Sequence, residues 1–334
     1  MAENKIFKIY NMELGAEYNM HLMVVGMTDK GKSSKGDPYV TVELFDGEKK
    51  VPVNFFDCTL EKLAAAGIQN ESILDVMLKK VPGKSEGQFY YNQSAYRLCQ
   101  DPAYTKEDFV HAAPINPDQS FEKILSRSKE VDSNPDNIGP YKSLSHLALK
   151  LLTENADAFK RSSAAVSMHH NFLSGLLYHT ERMVDLADQF CKVYPDLDKE
   201  LLICGTALHD IGKISCYATT NVGESSVTVE GRLLDHALVG ILMVHDAIGD
   251  DLYNPEKIQM LKHMIASHHG KKEWDAITTP AFPEATILNI IDLADSRINM
   301  YEEAYKGQEC GTVSEEKVFG LENSYIYKPI YPYV

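Results

Sequence analysis

The pair His209-Asp210, followed by Lys213 one helical turn on, places an imidazole and a carboxylate on neighbouring backbone positions. A carboxylate has two oxygens, so one such aspartate can bridge two divalent cations. Further ligand types are spaced through the same half of the chain: His179 upstream, then His236, His268-His269 and Asp292 downstream. Imidazole and carboxylate are the hard or borderline ligands that such cations require. Hydrolysis of a phosphate ester needs an activated water, neutralised oxygen charge and in-line geometry, and a pair of divalent cations can supply all three. Each piece has a plainer reading when taken alone. His236 could be a surface or capping histidine, and His268-His269 could close a helix ahead of Gly270. Asp292 lies among Ile290, Ile291 and Leu293, where an unpaired carboxylate would be costly to bury; Asp295, one turn on, is the alternative ligand. Lys213 could hold a phosphate oxygen or orient the attacking water, or merely answer a helix dipole. His169 and His170 precede His179 and can approach a substrate, and Arg232 and Arg297 are further phosphate candidates.

These residues need helices to converge. From about residue 141 the apolar spacing is helical, with Leu144, Leu147, Leu151 and Leu152 on one stripe and Ser143 as an N-cap. Further helices are expected over 171–191, 198–209, 234–248, 256–268 and 284–305. The ligand candidates fall on these helices or at their ends. The insert 217–231, with Val227, Val229, Gly223 and Gly231, reads as a small hairpin or ordered loop.

The front of the chain has a different period. Val40, Val42 and Leu44 alternate with polar and aromatic residues, and Val51, Val53 and Phe55 alternate again. Pro52 suggests an edge strand or a bulge there. Strands are also expected over 20–27, 73–81 and 88–98, with a short helix over 59–66 ending at Gly67. Five strands and one intervening helix are the elements of an OB-fold barrel; a seven-strand sandwich fits less well. Aromatic residues including Tyr39 and Phe55 punctuate this region. Such rings either fill a barrel or stack bases, at about 1–3 kcal/mol per base. Lysines, among them Lys32 and Lys35, cluster in the same region. Prolines at 102, 114, 117, 135 and 140 argue for a connector with only short helical pieces, such as 121–126. The expected organisation is a barrel domain over 1–100, a linker over 101–140, a helical domain over 141–310 and a Pro/Tyr-rich tail over 311–334.

The chain has 334 residues and a net charge of −15, which disfavours indiscriminate binding to polyanions. The charge is uneven: residues 1–100 carry a balance of −1 and the remainder −14, so a nucleic-acid platform belongs in the front part. Six scattered cysteines suggest reduced thiols. With no leader-like start and no span of roughly 18 apolar residues, a cytoplasmic protein without membrane contact is expected.

The stretch 169–180, Leu208-His-Asp-Ile-Gly-Lys213, Ser267-His-His-Gly-Lys-Lys-Glu-Trp274 and Ile290-Ile-Asp-Leu-Ala-Asp295 resemble the YhaM family of 3′→5′ exoribonucleases, also called CMP-binding factors. The resemblance covers nearly the whole chain and is strongest over 165–300. It implies an OB-fold barrel followed by an all-α HD-domain metallophosphohydrolase bundle. It implies two divalent cations, manganese by preference, with magnesium, cobalt or iron as alternatives. His179, His209, Asp210 and Asp292 would hold one ion; Asp210, His236, His268 and His269 would hold the other. Asp210 and Lys213 would serve catalysis, and Lys213, His170, Arg232, Arg297, Lys32, Lys35, Tyr39 and Phe55 would contact substrate. The implied substrate is single-stranded RNA, cut from its 3′ end to 5′-mononucleotides. Single-stranded DNA, a nucleotide phosphohydrolase acting on small substrates, a non-catalytic single-strand-binding module and a homo-oligomeric state stay open. One position departs from the family pattern: Asp235 stands where a glycine is expected before His236.

Overall fold

The computed structural model describes residues 6–33, 35–83, 88–136, 138–165, 171–223 and 225–331. The chain divides into two units, Met1–His111 with Ala304–Val334, and Ala112–Glu303.

The first unit is a closed barrel of β1 (Glu17–Lys32), β2 (Pro38–Phe45), β3 (Lys50–Phe56), β4 (Ile73–Pro82) and β5 (Phe89–Leu98), in the order β1-β2-β3-β5-β4. Helix α1 (Leu60–Ala65) lies between β3 and β4. This is the OB-fold arrangement expected from the alternation. Strand β1 is long enough to pair with β4 through its first half and with β2 through its second. Register shifts at Val24/Gly26 and Asp29/Lys32 bend it around the barrel. Strands β3 and β5 run parallel and meet only at Val53–Tyr91 and Asn54–Asn92, so Pro52 lies outside that short contact and its missing N–H costs nothing there. The inward set Val40, Val42, Leu44, Val51, Val53 and Phe55 forms the core with residues of β1 and β4.

In the second unit, α2 (Pro117–Glu130), α3 (Leu144–Glu154), α4 (Ala156–Arg161), α5 (Gly175–Val193), α6 (Lys199–Leu208) and α7 (Lys213–Cys216) come first. A two-stranded hairpin, β6 (Tyr217–Thr219) and β7 (Ser225–Val227), follows, then α8 (Val229–Leu234), α9 (His236–Ile248), α10 (Pro255–Ser267) and α11 (Pro283–Ala304). Every residue of α6 from Glu200 to Leu208 is buried. A helix that is apolar almost all round belongs at the centre of its domain, and α2, α3, α5 and α10 pack around it.

The segment expected as a connector folds differently. Pro117 is the first residue of α2, and Asn116 caps that helix through its side chain. A proline at the first helical position lacks only an N–H that would be unpaired anyway, so it starts a helix here instead of breaking one. Phe121 and Ile124 of α2 join the core of the helical unit. The C-terminal residues from Ala304 group with the barrel unit, where Val313 bridges Tyr327.

Candidate metal centre

Because α6 is the hub of the bundle, its C-terminal end delivers His209 and Asp210 to the middle of the unit. His209 is the helix C-cap, and its Nδ1 lies 2.7 Å from the Thr206 carbonyl. A carbonyl only accepts, so Nδ1 carries the proton and Nε2 presents its lone pair. His268 repeats the device at the end of α10, with Nδ1 2.7 Å from the Ile265 carbonyl. His179, on the buried face of α5, has Nδ1 2.7 Å from Asp295 Oδ2, and His236, the first residue of α9, has Nδ1 3.1 Å from Asp235 Oδ1. Four imidazoles are therefore held by one nitrogen while the other is aimed inward, the usual device for orienting metal ligands.

The inward atoms form two groups. His179, His209 and Asp292 each offer a ligand atom within 4.8 Å of the others, and so do His236, His268 and His269. Asp210 stands between them. Its Oδ2 lies 3.1 Å from His209 Nε2 and 3.8 Å from His179 Nε2, whereas its Oδ1 lies 3.4 Å from His236 Nε2 and 3.5 Å from His268 Nε2. One carboxylate thus turns one oxygen to each group. Lys213 Nζ reaches Asp210 Oδ2 at 2.6 Å, and both are buried.

Two glycines permit this approach. A Cβ on Gly212 would lie 2.1 Å from the His236 carbonyl oxygen and 2.6 Å from the Gly240 nitrogen, so the turn after Asp210 and the start of α9 can touch only because residue 212 has no side chain. Gly270, with φ +78°, ends the His268-His269 segment in a left-handed conformation and leaves room for Asn289, whose Nδ2 donates to the His268 carbonyl at 2.7 Å. Asp235 adopts φ 64° and ψ 153°, a conformation that favours glycine. Its side chain compensates: Oδ1 accepts from the Ala237 N–H at 2.9 Å, capping α9, and also faces His236. Burial opposes ionisation of Asp235, but His236 holds its carboxyl at about 2.

The electrostatics separate the two groups. Burial pushes His268 far below the ordinary imidazole value, and burial with the neighbouring His236 lowers His269. Burial likewise disfavours a charged His179, yet hydrogen bonds that the ring donates to Asp292 and Asp295 overcome it and raise that ring to about 9. Burial also works against ionised Asp292 and Asp210. His179 nevertheless pulls Asp292 well below the usual carboxylate range, and His209 and Lys213 do the same for Asp210.

The residues fit divalent cations. Asp210 Oδ1 and His209 Nε2 are buried with no hydrogen-bond partner among the described residues. An unsatisfied buried polar atom of this kind costs about 1–3 kcal/mol, and a cation between the two groups would relieve it. His, Asp and carboxylate oxygens are the ligand types for such ions. Asp292 belongs to the first group, whereas Asp295 holds His179 from behind and is itself held by Arg182 Nε at 2.6 Å.

The other expected contacts scatter. Arg232 is exposed on α8, and Arg297 is half-buried on α11. His170, with His169, lies outside the described residues. On the barrel, Lys32 and Lys35 are exposed and Tyr39 half-buried. Phe55 does not fit its expected role: it is 0% exposed and packs inside the barrel, so it cannot stack a base. Phe56, one residue on, is 57% exposed and its ring lies 5.5 Å from that of Tyr39. The alternation Val51, Val53, Phe55 already placed Phe55 inward and Phe56 outward. No such local signal marked Arg182, which acts through Asp295 from another helix.

Residues 176–300 match the model of the HD domain family. That span holds all six residues of the two groups, with Asp210 the seventh, and it starts at α5 and ends within α11. Residues 176–300 are thus similar to an HD domain, a fold of metal-dependent phosphohydrolases.

Proposed function

We propose that this protein is a 3′→5′ exoribonuclease that removes 5′-mononucleotides from single-stranded RNA. The observation that carries the reading is Asp210, whose two oxygens face two separate sets of ligands. His179, His209, Asp210 and Asp292 would hold one divalent cation, and Asp210, His236, His268 and His269 the other, manganese being the expected ion. Such a pair of ions lowers the pKa of water and neutralises charge on phosphoryl oxygens. The protein's own part is orientation and charge. The Nδ1 partners of His179, His209, His236 and His268 fix the four rings. Lys213 is buried and cationic, its charge maintained by Asp210 against burial, and it is close enough to the centre to hold a phosphoryl oxygen as negative charge develops.

Specificity for a strand would come from the barrel. Tyr39 and Phe56 pair on the outer face of β2 and β3, the face by which OB-folds bind oligonucleotides, and Lys32 and Lys35 are exposed at and just beyond the end of β1. Bases stacked on those rings and phosphates near those lysines account for a single-stranded polymer as substrate.

The test is product analysis on RNA and DNA oligonucleotides labelled at the 5′ end, with manganese, magnesium or chelator. The expected result is a ladder shortening one nucleotide at a time from the 3′ end, on RNA before DNA, and only with a cation. Intact oligonucleotides alongside rapid turnover of free nucleotides would instead identify a small-substrate phosphohydrolase.

A further inference from the structure

The barrel carries a second cluster of metal-ligating side chains, outside the HD centre. His21 on β1, Asp75 on β4 and Cys99 just after β5 each place a ligand atom within 4.8 Å of the other two. They come from three strands that are neighbours in the barrel order. His21 and Asp75 are directly opposite in the β1–β4 ladder, and the Cys99 N–H donates to the Ile73 carbonyl at 2.8 Å, which fixes the third member beside them.

Each member is oriented. The Tyr104 ring stacks on His21 at 3.7 Å between centroids and 14° between planes. Arg97 Nε donates to Asp75 Oδ2 at 2.9 Å, which leaves Oδ1 turned to His21 Nε2 at 3.2 Å. That Oδ1 is sealed from solvent, yet no described donor meets it in hydrogen-bonding geometry. The approach of His21 is thus an ion-pair distance without hydrogen-bond geometry. A buried acceptor oxygen beside an imidazole and a thiol is a donor set that a cation would satisfy. The arginine on the far oxygen plays the part that outer-shell groups play at metal sites.

We propose that His21, Asp75 and Cys99 form a zinc-class cation site on the outer face of the barrel. One imidazole, one carboxylate and one thiolate are ligands of zinc, which takes four ligands and would complete its set with water. Binding forms a metal–sulfur bond and breaks the Cys99 S–H bond, the proton passing to solvent. Burial pushes the Cys99 thiol up, so it keeps that proton until a cation takes its place. The site staples β1, β4 and β5 together and adds stability to the barrel in proportion to cation binding.

Cobalt is the probe, because a thiolate bound to it gives a near-ultraviolet charge-transfer band and the HD centre offers only imidazoles and carboxylates. The full chain is titrated with cobalt under reducing, oxygen-free conditions. Cobalt beyond the two equivalents that the HD centre would take is expected to raise the band and zinc to abolish it. The band should vanish in Cys99→Ser, persist in Cys310→Ser, and need about tenfold or more additional cobalt in His21→Gln and Asp75→Asn. Circular dichroism checks that each variant is folded. Asp210→Ala should leave the band intact, which separates this site from the HD centre. A saturated protein without the band, a band that survives Cys99→Ser, or unchanged cobalt affinity in both His21→Gln and Asp75→Asn would overturn the assignment.

Discussion

In the barrel unit the buried Lys8 is partnered within its own unit: its Nζ donates to the Asp46 carbonyl at 2.9 Å and faces the half-buried Glu48 at 3.1 Å, while Asp46 Oδ2 accepts the Ile9 N–H. In the helical unit the centre is built the other way. Asp210, His179, His209, His236 and His268 are all buried, and Asp210 Oδ1 and His209 Nε2 have no hydrogen-bond partner among the described residues. Buried ionisable groups are tolerated when paired and costly when not. The barrel core of Val40, Val42, Leu44 and Phe55 is thus complete as it stands, whereas the centre of the helical unit gains most of its satisfaction from an ion. The contrast teaches that catalytic potential and stability come from different groups in the two units, and it can be broken experimentally.

The sharpest break is Asp210→Asn. It removes the charge shared by both ligand groups, and phosphodiester hydrolysis should fall on the order of a thousandfold, while affinity for single-stranded RNA changes little. Initial rates and filter binding on one preparation measure both, and a variant with more than a tenth of the activity would refute the role given to this residue.

Removal of manganese from the HD centre acts on the helical unit. The single tryptophan, Trp274, belongs to the helical unit, so its fluorescence reports that unit. Manganese at a hundredfold excess over its dissociation constant should stabilise it by about 2.7 kcal/mol. Thermal scans with manganese and with chelator should therefore separate at Trp274, and coincident scans would show that the centre gains nothing from an ion.

Gly212→Ala tests the close approach. The new Cβ would collide with the His236 backbone, and displacing α9 should cost about 1–3 kcal/mol and weaken manganese binding. Calorimetric titration reads the second effect.

On the barrel, Phe56→Ala should weaken RNA binding by about 1–3 kcal/mol and leave unfolding nearly unchanged. Phe55→Ala should instead destabilise by about 3–5 kcal/mol. Equal effects of the two on binding would erase the distinction between the inward and outward rings.

The smallest effect is a pH slope. Burial, with Lys306 adding, lowers His111 to about 4, against about 6.5 in an unfolded chain. The unfolded state therefore takes up the proton first. This contribution is complete above pH 6.5 and is lost as pH falls to 4, by about 2 kcal/mol for a partly exposed ring. Hydrogen exchange of the barrel strands should show the loss, and His111→Asn should flatten it.

Much of this was legible in the chain. Alternation at Val40, Val42 and Leu44 marked a half-buried strand because side-chain direction repeats every two residues, and the stripe Leu144, Leu147, Leu151 and Leu152 marked a helix. The ligand types at 179, 209, 210, 236, 268, 269 and 292 were visible as residues. The helical nature of 117–130 was obscured, because a proline reads as a breaker until its place at the first turn is known. Phe55 and Phe56 were both aromatic, and only the alternation separated them.

The sequence by itself determined which chemistry is available and which periods the backbone follows, since residue type and local spacing need no distant contact. The tertiary structure alone decided how the groups are shared out. The two oxygens of Asp210 serve different sets, Asp292 faces the centre while Asp295 stands behind His179, and Gly212 makes room for His236. Each of these depends on helices far apart in sequence meeting within a few ångström, a matter of packing that no local pattern encodes.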